Sequence, residues 1–137
     1  MTTVGLDIRV TISSDADIVT ARAQGRSAAR AMGFSTTDVT IIATAISEVA
    51  RNIVQYAGRG EILLRERRED GRSGLLIVAR DEGPGIPDVE EAMRPGYSTS
   101  NSLGFGLPGA KRLVDEFEIE SSRGQGTTIT MTKWLAR

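Results

Sequence analysis

A carboxylate and an amide stand four residues apart at Glu48 and Asn52, inside T-A-I-S-E-V-A-R-N-I-V-Q-Y-A at residues 44–57. On a helix that spacing stacks the two side chains on one face, where they could meet a single ligand together. Taken alone, the pair also fits two solvated surface residues, since exposed Glu and Asn are commonplace on helices. A second candidate is Asp81, which opens D-E-G-P-G-I-P-D with Gly83 and Gly85 close behind. It reads either as an acceptor at a strand end or as an Asx-type former of the turn before Gly83. A third is L-G-F-G-L-P-G at residues 103–109, whose glycines and helix start suit phosphate oxygens but equally suit a flexible hinge. It contains G-x-G-x-x-G, yet it does not follow the first strand directly, as a dinucleotide fingerprint should.

Composition narrows what these residues could do. With no cysteine and no histidine, the chain has no thiol nucleophile, no imidazole base and none of the usual zinc ligands. Acid-base chemistry must fall to carboxylates. Seventeen basic residues against eighteen acidic ones give a formal net charge of -1, which offers no electrostatic case for nucleic acid or an anionic membrane. The start of the chain lacks a basic segment followed by an apolar one, and no apolar run approaches ~18 residues, so a cytoplasmic location is expected. At 137 residues the chain fits one domain, 1–137, with a single core.

The elements that must position the candidates can be read in order. Residues 4–12 alternate apolar and polar as a half-buried strand does. Ser13, Ser14 and Asp15 offer a cap to a helix ending at Gly33, whose inward face is mostly small: Ile18, Ala21, Gly25, Ala28, Met32. Close packing on another element is expected of that face. The next helix begins at Ser35-Thr36-Thr37-Asp38, near a capping box, and stops at Ala57-Gly58. It carries Glu48 and Asn52 beside a stripe of Val39, Ile42, Ile46, Val49 and Ile53. Residues 61–68 and 74–80 flank Glu69-Asp70-Gly71 as a hairpin, and L-L-I-V-A in the second strand predicts burial on both faces. Residues 88–101 lack periodicity and read as a mobile loop. Leu107, Ala110, Leu113, Val114 and Phe117 restore helical spacing, and two strands at 118–121 and 127–134 close the chain. Two helices in succession and two strand pairs argue against a doubly wound sheet. They predict an α/β two-layer sandwich, a mixed or antiparallel sheet with three helices on one face.

Together, E-x-x-x-N at Glu48 and Asn52, D-x-G-x-G at Asp81, Gly83 and Gly85, G-x-G-L at Gly104 to Leu107, and G-x-G-T at Gly124 to Thr127 resemble the four boxes of the GHKL ATP-binding superfamily. The match covers almost the whole chain and implies the Bergerat ATP-binding fold. Within the superfamily the chain is similar to the anti-sigma-factor serine kinases. The phrases A-I-S-E-V-A-R-N-I-V-Q-Y-A-G, G-Y-S-T-S and G-L-P-G-A-K-R-L-V-D-E-F look most like the RsbT type of switch kinase.

The resemblance implies ATP and Mg²⁺ as cofactors. Asn52 would hold the metal, Glu48 would be the general base, and Asp81 would accept the adenine amino proton. Gly83 and Gly85 would allow the turn beside the base, and Thr127 would complete the adenine contact. Gly104, Phe105, Gly106 and the N–H groups near Leu107 would cradle the phosphates, with residues 88–103 as an ATP lid. In histidine kinases the position of Glu48 is usually another Asn, so glutamate here favours a hydroxyl or water as the attacking group. Two departures stand out: Gln55 replaces a residue often cationic, which passes a phosphate contact to Lys111 or Arg112, and Ser102 stands where one version of the second box has glycine.

The implied function is an ATP-dependent serine/threonine protein kinase of a partner-switching stress-signalling module. It would phosphorylate a STAS-domain antagonist and, once released, activate a PP2C-type phosphatase or other output. The alternatives are an anti-sigma factor that sequesters a sigma factor, and an ATPase whose Glu48 activates water to drive a conformational change. A homodimer stands open beside the monomer.

Overall fold

The computed structural model describes residues 6–85, 93, 106–122 and 124–136. Strand β1 (Asp7–Ile12) leads into α1 (Asp15–Met32) and α2 (Thr36–Tyr56). The hairpin β2 (Gly60–Glu69) and β3 (Arg72–Asp81) follows, then α3 (Gly106–Leu113), β4 (Glu116–Ser122) and β5 (Gly126–Trp134). The strands form one sheet in the order β1-β2-β3-β5-β4, and every pairing is antiparallel. The two-layer arrangement of three helices and an antiparallel sheet is the one the element order predicts.

Local chemistry sets the boundaries. The Ser35 hydroxyl accepts the Asp38 N–H at 3.1 Å and opens α2. The helix closes when the N–H groups of Ala57 and Gly58 both reach the Ile53 carbonyl, with Gly58 left-handed at φ 78°. Asp70 and Gly71 both take positive φ, the backbone that lets a two-residue turn follow the right-handed twist of β2 and β3. On α1 the small face does pack closely, since a Cβ on Gly25 would strike Ile46 of α2.

The core lies between the helices and the inner face of the sheet. Val39, Ile42, Ile46, Val49 and Ile53 of α2 meet Ile62 and Leu64 of β2, Leu75, Ile77 and Ala79 of β3, and Ile129 and Met131 of β5. Burying a side chain of this size is worth about 1.5–3 kcal/mol, so α2, apolar along its whole length, is the element that the others enclose. Among the described residues no helix is long and apolar enough to cross a membrane.

Two expectations are corrected. β3 is not buried on both faces: Leu75, Ile77 and Ala79 are buried against the helices, while Leu76 and Val78 are only half-buried. The three helices among the described residues lie on one side of the sheet, so no described helix covers the other. The third helix does not continue to Phe117. It ends at Leu113 because the Asp115 N–H donates to the Thr132 carbonyl at 2.9 Å and the Asp115 carboxylate accepts the Trp134 N–H at 2.7 Å. Phe117, on β4, then pairs with Met131 of β5 and still packs against the core.

Candidate functional site

The inward registers of the sheet explain how one end of it becomes polar. Side chains facing the helices run Ile8-Leu64-Ile77-Met131-Phe117, then Val10-Ile62-Ala79-Ile129-Ile119, then Ile12-Gly60-Asp81-Thr127-Ser121. The third row places a carboxylate and two hydroxyls where the previous two place only hydrocarbon. Asp81 and Thr127 are both buried there. Asp81 Oδ1 accepts the Gly83 N–H at 2.9 Å and the Thr127 N–H at 3.3 Å. No described residue donates to Oδ2. The Asx-type turn is thus formed through Oδ1, and Oδ2 is left without a described donor. The Thr127 hydroxyl lies 2.8 Å from that of Ser121.

The turn after Asp81 is held by close approach. A Cβ on Gly83 would come within 2.6 Å of the Ala57 Cβ at the end of α2, so only glycine lets the turn lie against that helix. Gly126, at φ 89°, has its own missing Cβ aimed at the Asp81 carbonyl. The Gly124 N–H donates to the Pro84 carbonyl at 2.8 Å, which ties the two glycine-containing turns together. Gly85 also has positive φ, and the described part of this turn ends with it.

On α2, Glu48 and Asn52 are both buried, so neither is a solvated surface residue. The Asn52 amide makes no hydrogen bond to another described residue. Glu48 is held at both carboxylate oxygens. Its Oε1 accepts from Arg51 Nη1 at 3.0 Å, and its Oε2 accepts the Gly106 N–H at 3.1 Å, across 58 positions of sequence. That second bond puts the carboxylate at the N-terminus of α3, where the positive end of the helix dipole favours an anion.

The structure therefore brings Glu48 to Gly106 and Asp81 to Gly83 and Thr127. Gly104 and Phe105, the expected lid at 88–103 with Ser102 at its end, and the loop at 88–101 lie outside the described residues, Met93 excepted. Leu107 is a core residue, so what it could offer a phosphate is its backbone alone. Lys111 and Arg112 are exposed in the last turn of α3, and Gln55 is exposed on α2. Sequence reasoning passed over Arg51 and Ser121. Arg51 carried a usable signal, the i,i+3 spacing from Glu48. Ser121 carried none, because only the β4–β5 register puts it opposite Thr127.

Residues fit for a divalent cation are few. No group of three His, Cys, Asp or Glu side chains able to hold a metal occurs among the described residues. An Asn amide with no partner among the described residues does fit Mg²⁺, which keeps several waters and is commonly held by one or two side chains plus substrate phosphates.

Residues 12–133 match the family described as the histidine kinase-like ATPase domain. The chain is 52% identical over 126 residues to the serine/threonine-protein kinase RsbT of Bacillus subtilis, covering 92% of this chain and 95% of that one. It is 36% identical over 107 residues to an anti-sigma F factor of Bacillus licheniformis, covering 73% and 72%. A solved structure of the RsbU and RsbW domains of a Mycobacterium tuberculosis protein superposes with a TM-score of 0.63 at 27% identity, covering 98% of this chain and 33% of that one.

Proposed function

The chain belongs to the histidine kinase-like ATPase domain family, and from that premise we infer that it is a protein serine/threonine kinase of a bacterial partner-switching module, a cytoplasmic regulator that uses ATP. The observation that carries the reading is the Glu48–Gly106 hydrogen bond, which joins the E-x-x-x-N helix to the glycine-rich start of α3. A base and a phosphate cradle are then adjacent, which is what transfer to a hydroxyl requires.

The division of labour follows the geometry. Asp81 Oδ2 accepts from the exocyclic amino group of adenine, while Oδ1 keeps the turn. Thr127, on the same sheet row, flanks the base. The N–H groups at the start of α3 receive phosphate oxygens. Asn52 supplies a neutral oxygen ligand to Mg²⁺, which when bound offsets charge on the phosphates. Glu48 accepts the proton of a substrate serine or threonine hydroxyl. The freed oxygen forms a bond to the γ-phosphorus, the bond from that phosphorus to the β,γ-bridging oxygen breaks, and ADP leaves with the electron pair.

The substrate we propose is a STAS-domain antagonist, with a PP2C-type phosphatase as the output that the released kinase activates. The RsbU and RsbW domains that share one chain in the Mycobacterium tuberculosis structure support such a module. A second reading, sequestration of a sigma factor, is supported by the anti-sigma F factor relatives. The test is incubation with γ-labelled ATP, Mg²⁺ and a purified STAS-domain protein, followed by detection of phosphoserine or phosphothreonine on that protein. Label on the partner is expected. No transfer together with retention of a sigma factor on the immobilised chain would instead select the second reading.

A further inference from the structure

We propose that Arg51 is the positioning residue for Glu48, an inference that rests on the reading of Glu48 as the general base. Arg51 and Glu48 look at first like an ordinary i,i+3 pair, and on a helix surface such a pair would do little. Burial makes this one different. The Glu48 side chain is 4% exposed and that of Arg51 21%, so water cannot solvate the carboxylate, and its charge has to be met by the protein.

The two described donors to Glu48 also come from different places. Arg51 sits on the same helix and lines a groove of about 480 Å³ between α1 and α2, together with Ile18, Val19, Arg22, Val54 and Gln55. Gly106 approaches from α3, on the side of the phosphate cradle. Oε1 is therefore anchored within α2, and Oε2 is the oxygen presented to the site. When phosphate oxygens take the N–H groups at the start of α3, Oε2 exchanges the Gly106 N–H for the acceptor hydroxyl, while Arg51 keeps Oε1 and the carboxylate plane in place. Without that anchor the carboxylate turns about its side-chain bonds and is no longer aimed at the hydroxyl. Misplacement of a reacting group by ~1 Å can cost about 10²-fold in rate.

The test uses the full chain with γ-labelled ATP and a purified STAS-domain protein as acceptor. Arg51→Met, which keeps the aliphatic stem in the groove, should lower kcat by about 10²-fold with KM for ATP near the wild-type value, and should also lower the melting temperature, because it leaves the buried carboxylate without its cation. Arg51→Lys should recover at least about tenfold of that loss, because one N–H donor and a point charge suffice for a single Oε1 contact. In a Glu48→Gln background, Arg51→Met should change kcat no further, since nothing remains to be aimed. A wild-type kcat in Arg51→Met overturns the inference. So does a parallel loss of ATP binding and thermal stability that Arg51→Lys does not repair, the mark of a purely structural pair. If Glu48→Gln itself transfers phosphate at the wild-type rate, the base assignment falls and takes this inference with it. If Glu48→Gln is inactive while Arg51→Met is normal, only the role of Arg51 is lost.

Discussion

Glu48, Asn52 and Asp81 are buried polar groups, and the proposed function gives each of them a separate role. For the α2 pair, binding and chemistry should separate. Asn52→Ala is expected to weaken Mg-ATP binding itself, whereas Glu48→Gln, of nearly equal volume, should bind Mg-ATP normally and lose about 10²–10⁴-fold in phosphoryl transfer. Calorimetry and labelled transfer on both variants decide this, and a Glu48→Gln protein as fast as wild type would remove the base. Asp81 offers a sharper test because its oxygens are already divided. In Asp81→Asn the amide oxygen would keep the Gly83 and Thr127 N–H groups, which turns the NH₂ toward the nucleotide. Adenine would then meet a donor with a donor, while guanine would meet it with an oxygen. Wild-type preference for ATP over GTP should be at least about 10-fold, or ~1.4 kcal/mol, and should collapse in the variant with little change in stability. Equal ATP affinity in the two proteins would leave Asp81 with its turn alone.

At the scale of elements, the site depends on β3 and β5 ending together. Gly126 opens β5 at φ 89° directly against the Asp81 carbonyl, so Gly126→Ala should cost about 1–3 kcal/mol in stability and push Asp81 off the adenine position. Denaturant melts and ATP titration should therefore worsen together. Loss of stability with unaltered affinity would show that the turn can shift without moving Asp81. The other end of the sheet is fastened by Glu116 of β4, which accepts from Arg67 Nη1 of β2 at 2.9 Å and from the Trp134 indole N–H of β5 at 2.9 Å. Arg67 first, and Trp134 after it, hold the Glu116 carboxyl below the usual carboxylate range. A folded value below the unfolded one, ~4.3, stabilises at pH above that unfolded value and is lost as pH falls through the folded one. Urea midpoints of wild type and Glu116→Gln should accordingly differ by a constant amount near neutrality and converge as pH falls into the acid range. A gap that persists in acid would assign the difference to packing around Trp134.

For the whole molecule, the proposed ligand adds a link between two parts of the chain, α2 with the start of α3 and the paired ends of β3 and β5. A nucleotide that binds the folded chain alone should stabilise it by about 2.7 kcal/mol at a hundred times its Kd, roughly 10 °C in melting temperature. An identical shift with Mg-GTP, or none with either nucleotide, would argue against adenine recognition at this site. Much of this design is legible in the sequence. Periodicity placed α1 and α2, the Asp70-Gly71 turn placed the hairpin, and the element order excluded a doubly wound sheet, because each of these is settled by neighbours along the chain. The same local rules carried the third helix on to Phe117 and hid β3 on both sides. Spacing cannot report that β5 captures Asp115, and an apolar run cannot report that only one face of its strand is fully covered. The site divides along the same line. That Glu48 and Asn52 share one helix face, that Arg51 lies within reach of Glu48 and that Asp81 can form its own turn are local and legible in the sequence, but that Gly106 takes the other oxygen of the Glu48 carboxylate, and that the Thr127 N–H joins Gly83 on Asp81 Oδ1, were decided only when distant segments folded into contact, since a hydrogen bond depends on distance in space and not on position in the chain.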